Sequence, residues 1–323
     1  MSQLKKKTKL FTHTDLDGVG CFLVLLEQKI MWYRDIKEGN VEFINYNELE
    51  ERLSKYINEQ EYINYEQTYI TDLSISEELG NKINTLVKEG KHNFIWVDHH
   101  KTSLYAKEYN WTNITTNRYN KTLEQYGRPI CATMLLFEMF IDNITPHLLF
   151  DCIDDWDTWA WKESIIGDKA KSINDLLYLL GIKDFIKKYE EYDYDIQEVL
   201  NSPEVKLLLN IDAKNKQEYF ETKIKNGYKT NIYNHKVFVV FADKYISELG
   251  SYICENNKDI DMCILINLDK KTISYRTAKD DIDCCEFAKK VGGGGNKATS
   301  GSPFSDKIQQ KIFKDTIETL YKQ

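Results

Sequence analysis

The sequence has 323 residues, 42% hydrophobic and 29% charged, with 15 Gly and 4 Pro. That length allows two ordinary domains, and the composition excludes a disordered or collagen-like chain. The net charge of −8 excludes the basic surface with which a protein coats long nucleic acid by neutralising phosphates, so a nucleotide ligand is expected to be short and held in a local pocket.

Residues 7–13 (KTKLFTH) predict a first strand, followed by an Asp-rich loop at 14–18 and a helix over 19–30. Residues 41–47 (VEFINYN) and 68–74 (TYITDLS) predict two more strands, and 76–89 has helical periodicity. Residues 93–100 (NFIWVDHH) read as an apolar strand that ends in three polar residues. Strands alternating with helices imply a parallel α/β sheet, in which ligands bind beyond the carboxyl ends of the strands. Residues 130–160 and 168–226 read as helical, with a long connector across 206–227. Strands follow at 236–242, 261–269 and 272–278, and helices at 245–257 and 284–291, before the run Gly292 to Gly295. The expected division is a first domain over 1–190, a helical connector over 191–230 and a smaller α/β domain over 231–323.

The seven cysteines form no CxxC pair and their number is odd, which points to reduced thiols and a cytoplasmic setting. The basic start MSQLKKKTKLF lacks the apolar stretch of a signal peptide, and no run reaches the length of a membrane span. No membrane partner is expected.

Four clusters carry the chemistry: Thr12 to Gly18 (THTDLDG), Asp72 in ITDLS, Asp98-His99-His100, and Asp154-Asp155-Trp156-Asp157-Thr158. Carboxylates and imidazoles are ligands for Mn²⁺, and a bridging carboxylate can hold two such ions about 3.5–4 Å apart, activating water and clamping phosphoryl oxygens. Each cluster also has an ordinary reading. HTDLDG can be a turn, Asp72 a helix cap, Asp154-Asp155 a solvated face, and His99-His100 a core and a surface histidine. Those readings leave unexplained why the clusters fall at strand ends that share one crevice.

Val97-Asp98-His99-His100 at the end of an apolar strand resembles the signature of the DHH phosphoesterase superfamily. THTDLDG resembles the first motif of that superfamily, ITD (70–72) the second and WDT (156–158) the fourth. ELG (248–250), ISYRTA (273–278) and AKKVGGGGNKATSG (288–301) resemble the DHHA1 domain, so the resemblance covers nearly the whole chain. It implies a doubly wound parallel-sheet DHH domain and a DHHA1 domain that closes over it. The compact two-domain layout is similar to the nanoRNase branch.

The resemblance implies two divalent cations, Mn²⁺ first, with Mg²⁺ or Co²⁺ as alternatives. His13 and Asp15 correspond to ligands of one ion, Asp17, His99 and Asp157 to ligands of the other, and Asp72 to the bridge. Asp154 and Asp155 remain competitors for the role of Asp157. His100 corresponds to a histidine that contacts substrate phosphate, and Asp98 to a carboxylate that orients a ligand histidine. Arg276, Gly293, Gly294, Gly295 and Asn296 correspond to substrate-binding positions, with glycine N–H groups free to approach a phosphate. Two departures stand out. His13 is two residues before Asp15, where some branches have four. Asn296 stands where DHHA1 domains have a histidine, and it can hydrogen-bond but carries no charge.

The implied activity is hydrolysis of short oligonucleotides, dinucleotides or 3′-phosphoadenosine-type monoesters, with a homodimer as the candidate assembly. A RecJ-like single-strand DNA exonuclease would call for further domains and a less acidic chain. A pyrophosphatase would have a different C-terminal domain. A non-catalytic nucleotide-binding regulator is favoured by Asn296 and opposed by the complete set of ligand residues.

Overall fold

The computed structural model describes residues 7–120, 125–141 and 146–321, so the basic N-terminal hexapeptide and part of the helical stretch expected over 130–160 lie outside the described residues. The chain divides into two compact units, Met1–Leu209 and Asn210–Gln323.

In the first unit, β1 (Thr8–Thr12) leads into α1 (Leu16–Glu27), followed by α2 (Tyr33–Lys37), β2 (Val41–Phe43), α3 (Tyr46–Asn58), β3 (Gln67–Thr71), α4 (Glu77–Lys88) and β4 (Asn93–Asp98). β5 (Thr112–Ile114) and a hairpin of β6 (Asn117–Asn120) and β7 (Gln125–Pro129) come next. A helical layer follows: α5 (Ala132–Glu138), α6 (Leu148–Asp157), α7 (Gly167–Leu180), α8 (Ile182–Glu191), α9 (Ile196–Asn201) and α10 (Pro203–Asn226). The last of these helices contains the division between the units.

The sheet order is β2-β1-β3-β4-β5, and every pairing is parallel. Alternate strand residues face opposite sides, so both faces are covered. Leu10, Tyr69 and Val97 join the apolar core with α1, α5 and α6, whereas Phe11, Ile70 and Trp96 join the other core with α3 and α4. After β1 the chain steps to β2 on one side and to β3 on the other. The strand order therefore reverses at β1 and β3, where open α/β sheets bind their ligands.

Among the boundaries that differ from the sequence reading, two bear on the site. α1 begins at Leu16, because the Asp15 carboxylate accepts the Gly18 N–H at 3.1 Å and caps the helix. Asp17 and Gly18 thus sit in its first turn rather than in a loop. The strand expected over 41–47 stops at Phe43, and Tyr46 opens α3.

In the second unit, β8 (Tyr228–Ile232), β9 (His235–Phe241), α11 (Ile246–Asn256), β10 (Met262–Asn267), β11 (Thr272–Arg276), α12 (Cys284–Lys289), β12 (Gly294–Gly295), β13 (Thr299–Pro303) and α13 (Asp306–Tyr321) follow in order. Its sheet runs β12-β13-β11-β10-β9-β8. Only β9 and β10 pair in parallel, joined by the crossover helix α11. All seven cysteines are free. Among the described residues, no helix is long and apolar enough to cross a membrane.

Candidate metal centre

Segments far apart in sequence converge at the carboxyl ends of β1, β3 and β4. His13 follows β1, and its Nδ1 lies 2.8 Å from Asp15 Oδ2 and 3.7 Å from Asp72 Oδ2. Gly18 permits this turn, since a Cβ there would meet the His13 carbonyl oxygen at 2.2 Å. Asp72 follows β3 with φ of 53°, a left-handed conformation that costs a non-glycine residue about 1–3 kcal/mol and collects at functional sites. His99 Nε2 lies 3.5 Å from Asp72 Oδ1, 3.7 Å from Asp17 Oδ2 and 3.6 Å from Asp157 Oδ2.

The separations about His99 are too long for good hydrogen bonds. They are close to the spacing of two ligands on one cation, about 3.0–3.4 Å for donors about 2.1 Å from the ion. Among the described residues, three groups have ligand atoms all within 4.8 Å of one another: His13, Asp15 and Asp72; Asp17, His99 and Asp157; and Asp72, Asp98, His99 and His100. Asp72 stands in two of them, and its carboxylate is 3.5 Å from the His99 ring of the remaining one.

The electrostatics suit a cation. Burial, and then the charges of Asp17, Asp15 and Asp157, push the Asp72 carboxyl well above its ordinary value. Asp157 is pushed well up by enclosure and by Asp17 and Asp15. Asp15 behaves oppositely: enclosure by protein raises it, but the hydrogen bond and charge of His13 outweigh that and hold it below its ordinary value. Asp72 Oδ2 is buried and has no hydrogen-bond donor. A polar atom left so costs about 1–3 kcal/mol, and crowded carboxylates raise one another's pKa unless a positive charge joins them. The residues present fit divalent cations.

The surrounding contacts divide the fourth cluster. Asp154 accepts the Cys131 N–H at 2.8 Å and Arg128 Nη2 at 2.7 Å, and Asp155 accepts Arg128 Nη1 at 2.7 Å. Both are engaged by the β7 side, whereas Asp157 faces His99. Asp17 is held in turn by α5, its oxygens accepting the N–H groups of Ala132 at 2.8 Å and Thr133 at 2.7 Å.

Asp98 departs from expectation. Its side chain holds the ring of His100, at 2.7 Å from Nδ1, rather than the ring of His99. Sequence reasoning missed Tyr46, whose hydroxyl is 3.2 Å from His100 Nε2 and whose ring centroid is 4.9 Å from that of His13. The strand assigned across it concealed a helix start. Ser103, which donates to Asp98, carried no sequence signal.

In the second unit, Arg276 Nη1 donates to the carbonyls of Tyr275 at 2.8 Å and Ser300 at 3.3 Å, and Nη2 donates to Ser247 Oγ at 3.1 Å. Burial lowers its pKa. The Gly293 N–H donates to the Ala288 carbonyl at 2.8 Å, so it is already committed and not free for a phosphate, as the sequence reading had it. Gly293 is required by packing, since a Cβ there would meet the Gly301 carbonyl oxygen at 2.2 Å. Gly294 and Gly295 pair with β13, and Asn296 is exposed.

No family model matches the chain. The chain is 30% identical over 315 residues to oligoribonuclease NrnB of Bacillus subtilis (strain 168), covering 93% of this chain and 74% of that protein. Three solved structures share the fold at low identity. The DHH domain of a protein described as a member of a ribosomal-protein family has a TM-score of 0.56 at 15% identity, covering 97% of this chain and 86% of that one. Exonuclease RecJ bound to manganese has 0.54 at 14%, covering 98% and 90%. The pGpG-specific phosphodiesterase PggH from Vibrio cholerae has 0.53 at 14%, covering 97% and 98%. With its sequence kinship to NrnB, its sheet order and the convergence of its four motifs, the chain belongs to the DHH/DHHA1 superfamily of metal-dependent phosphoester hydrolases.

Proposed function

We propose that the chain hydrolyses phosphodiester bonds in short oligonucleotides or dinucleotides, using two divalent cations, Mn²⁺ foremost, held at the β1–β3 crevice. The observation that carries this reading is Asp72: buried, in a left-handed conformation, with one carboxylate oxygen lacking any donor. It supports one ion on His13, Asp15 and Asp72 and another on Asp17, His99 and Asp157, with Asp72 shared. Bound there, the cations supply Lewis acidity toward phosphoryl oxygen and lower the pKa of water.

The chain's own residues orient and hold. Asp98 accepts the Nδ1 proton of His100 and fixes its ring, so that Nε2, when it too carries a proton, donates to a substrate phosphate. The α5 N–H groups fix Asp17 in one orientation. In the second unit we assign substrate recognition to Arg276, whose Nε is buried without an acceptor among the described residues, and to Gly294, Gly295 and Asn296. The names of NrnB and PggH, an oligoribonuclease and a pGpG phosphodiesterase, and the net charge of −8 support a short substrate over a long strand. Seven free cysteines support a cytoplasmic setting.

The test is a panel of dinucleotides, cyclic dinucleotides, short RNAs, long single-stranded DNA and 3′-phosphoadenosine monoesters with Mn²⁺, read by chromatography. Linear dinucleotides and short RNAs should be consumed, and Asp72→Ala should abolish the activity. Degradation of long DNA would move the chain to the RecJ-like reading. Binding without turnover would make it a regulator.

A further inference from the structure

An aromatic cluster begins where the cation centre ends. α6 stops at Asp157, and Trp156, Trp159 and Trp161 lie on either side of that stop. Their ring centroids are 5.2 Å apart for Trp156–Trp161, 6.0 Å for Trp156–Trp159 and 5.8 Å for Trp159–Trp161. Trp156 and Trp161 pack against the helical core. Trp159 joins neither core of the first unit and remains 40% exposed.

The backbone of Trp159 has φ of 64°, a region that glycine enters freely and a tryptophan enters at a cost. Burial of the indole offsets that cost only in part, because the ring is covered on the side of Trp156 and Trp161 and 40% exposed. Lys162 Nζ lies 5.3 Å from the centroid of the Trp159 ring and 5.7 Å from that of Trp161, which sets a positive charge beside the exposed aromatic surface. Two peptide units separate Trp159 from Asp157, so their Cα atoms are at most about 7.6 Å apart. An exposed indole with a cationic neighbour therefore stands beside a residue that faces His99.

We propose that Trp159 is a stacking platform for a nucleobase of the substrate. Every base has a π-face, so such a platform accepts nucleotides without reading their sequence. It favours phosphoesters that carry a base over those that lack one. The proposal rests on the reading of the Asp72 crevice as the place where phosphate is bound, and it adds a contact to the base. A left-handed residue just past a helix end is a common helix terminus, and it accounts for the backbone of Trp159; it does not account for an exposed indole at a position that glycine or asparagine usually fills.

The test uses the whole chain loaded with Mn²⁺ and compares binding of adenosine 5′-monophosphate and ribose 5-phosphate by calorimetry. These probes share phosphate and ribose and differ only in the base. The intact protein should prefer the nucleotide by about tenfold, in line with stacking on one aromatic ring. Trp159→Ala should remove the preference and leave ribose 5-phosphate binding unchanged, and Trp159→Phe should keep most of it. Trp159→Gly, which suits the left-handed backbone, should behave like the alanine variant with an undiminished melting temperature. Equal affinity of the intact protein for both probes, or a preference that survives in the alanine and glycine variants, overturns the proposal. A base preference with no hydrolysis of dinucleotides refutes the phosphodiesterase reading alone, and hydrolysis with no base preference refutes the platform alone.

Discussion

Nδ1 of His100 lies 2.7 Å from Oδ1 of Asp98, and that same oxygen accepts the backbone N–H of His99 at 2.9 Å. One buried carboxylate at the end of β4 thus fixes the ring of the second histidine and the main chain of the first. An ionised carboxylate can only accept, so the Nδ1 proton stays on His100, and Nε2 is presented on the side of Tyr46.

Replacing the carboxylate removes that constraint. Asp98→Asn should lower kcat by about 10–100-fold, the usual effect of losing a residue that orients a functional histidine. The number of Mn²⁺ ions bound, read by calorimetry, should stay unchanged. A drop in stoichiometry would mean that Asp98 acts on the cations themselves.

Asp72 links proton uptake to stability. Its carboxyl is raised well above the ordinary value of 3.8 by burial, then by Asp17, Asp15 and Asp157. The folded state therefore keeps a proton that the unfolded chain releases, and stability is lost as pH rises through the raised value. The metal-free protein should melt at lower temperature at about pH 8 than at about pH 5, and Asp72→Asn should flatten the slope. A slope in the mutant as steep as in the intact protein would place its origin elsewhere.

Cations should reverse this penalty. At about 100 times its dissociation constant, a ligand bound only by the folded state adds about 2.7 kcal/mol. Chelation with EDTA should lower the melting temperature by several degrees, by differential scanning calorimetry. Asp157→Asn should reduce the bound ions from two to one, counted by titration with Mn²⁺.

Arg128 ties the hairpin to α6 through Asp154 and Asp155. Asp154 is fully buried and Arg128 is 41% exposed, so solvent screens part of the interaction. Arg128→Met should cost about 1–2 kcal/mol, seen in urea unfolding. It should also reduce turnover, because Asp157 lies one helical turn beyond Asp154. Unchanged activity in a destabilised variant would confine Arg128 to holding the fold.

Much of the first unit was readable because a buried parallel sheet leaves apolar runs that stop abruptly, as at Val97-Asp98. The motif residues were readable for the same reason: polar side chains at the ends of such runs are conspicuous. α3 was not readable, since Val41 to Asn47 alternates like a strand and the switch at Asn45 depends on tertiary packing of Leu49, Leu53 and Tyr56. Tyr46 was lost with it. The separation of Asp157 from Asp154 and Asp155 was also hidden, because three acids in four residues look alike until Arg128 and the Cys131 N–H claim two of them. In the second unit the glycine run gave its position but not its reason, which lies in the backbone of β13 crossing close to Gly293.

The proposed ligand sets of the two cations draw on different parts of the chain. His13 and Asp15 are near neighbours on a single turn, and β3, paired with β1, brings Asp72 beside them. Asp17, His99 and Asp157 come from α1, the end of β4 and the end of α6, and Asp17 is also clamped by α5. If the proposed pair of cations is bound, mild denaturation that loosens the helical layer should strip them one after the other, with the Asp157 position emptied first.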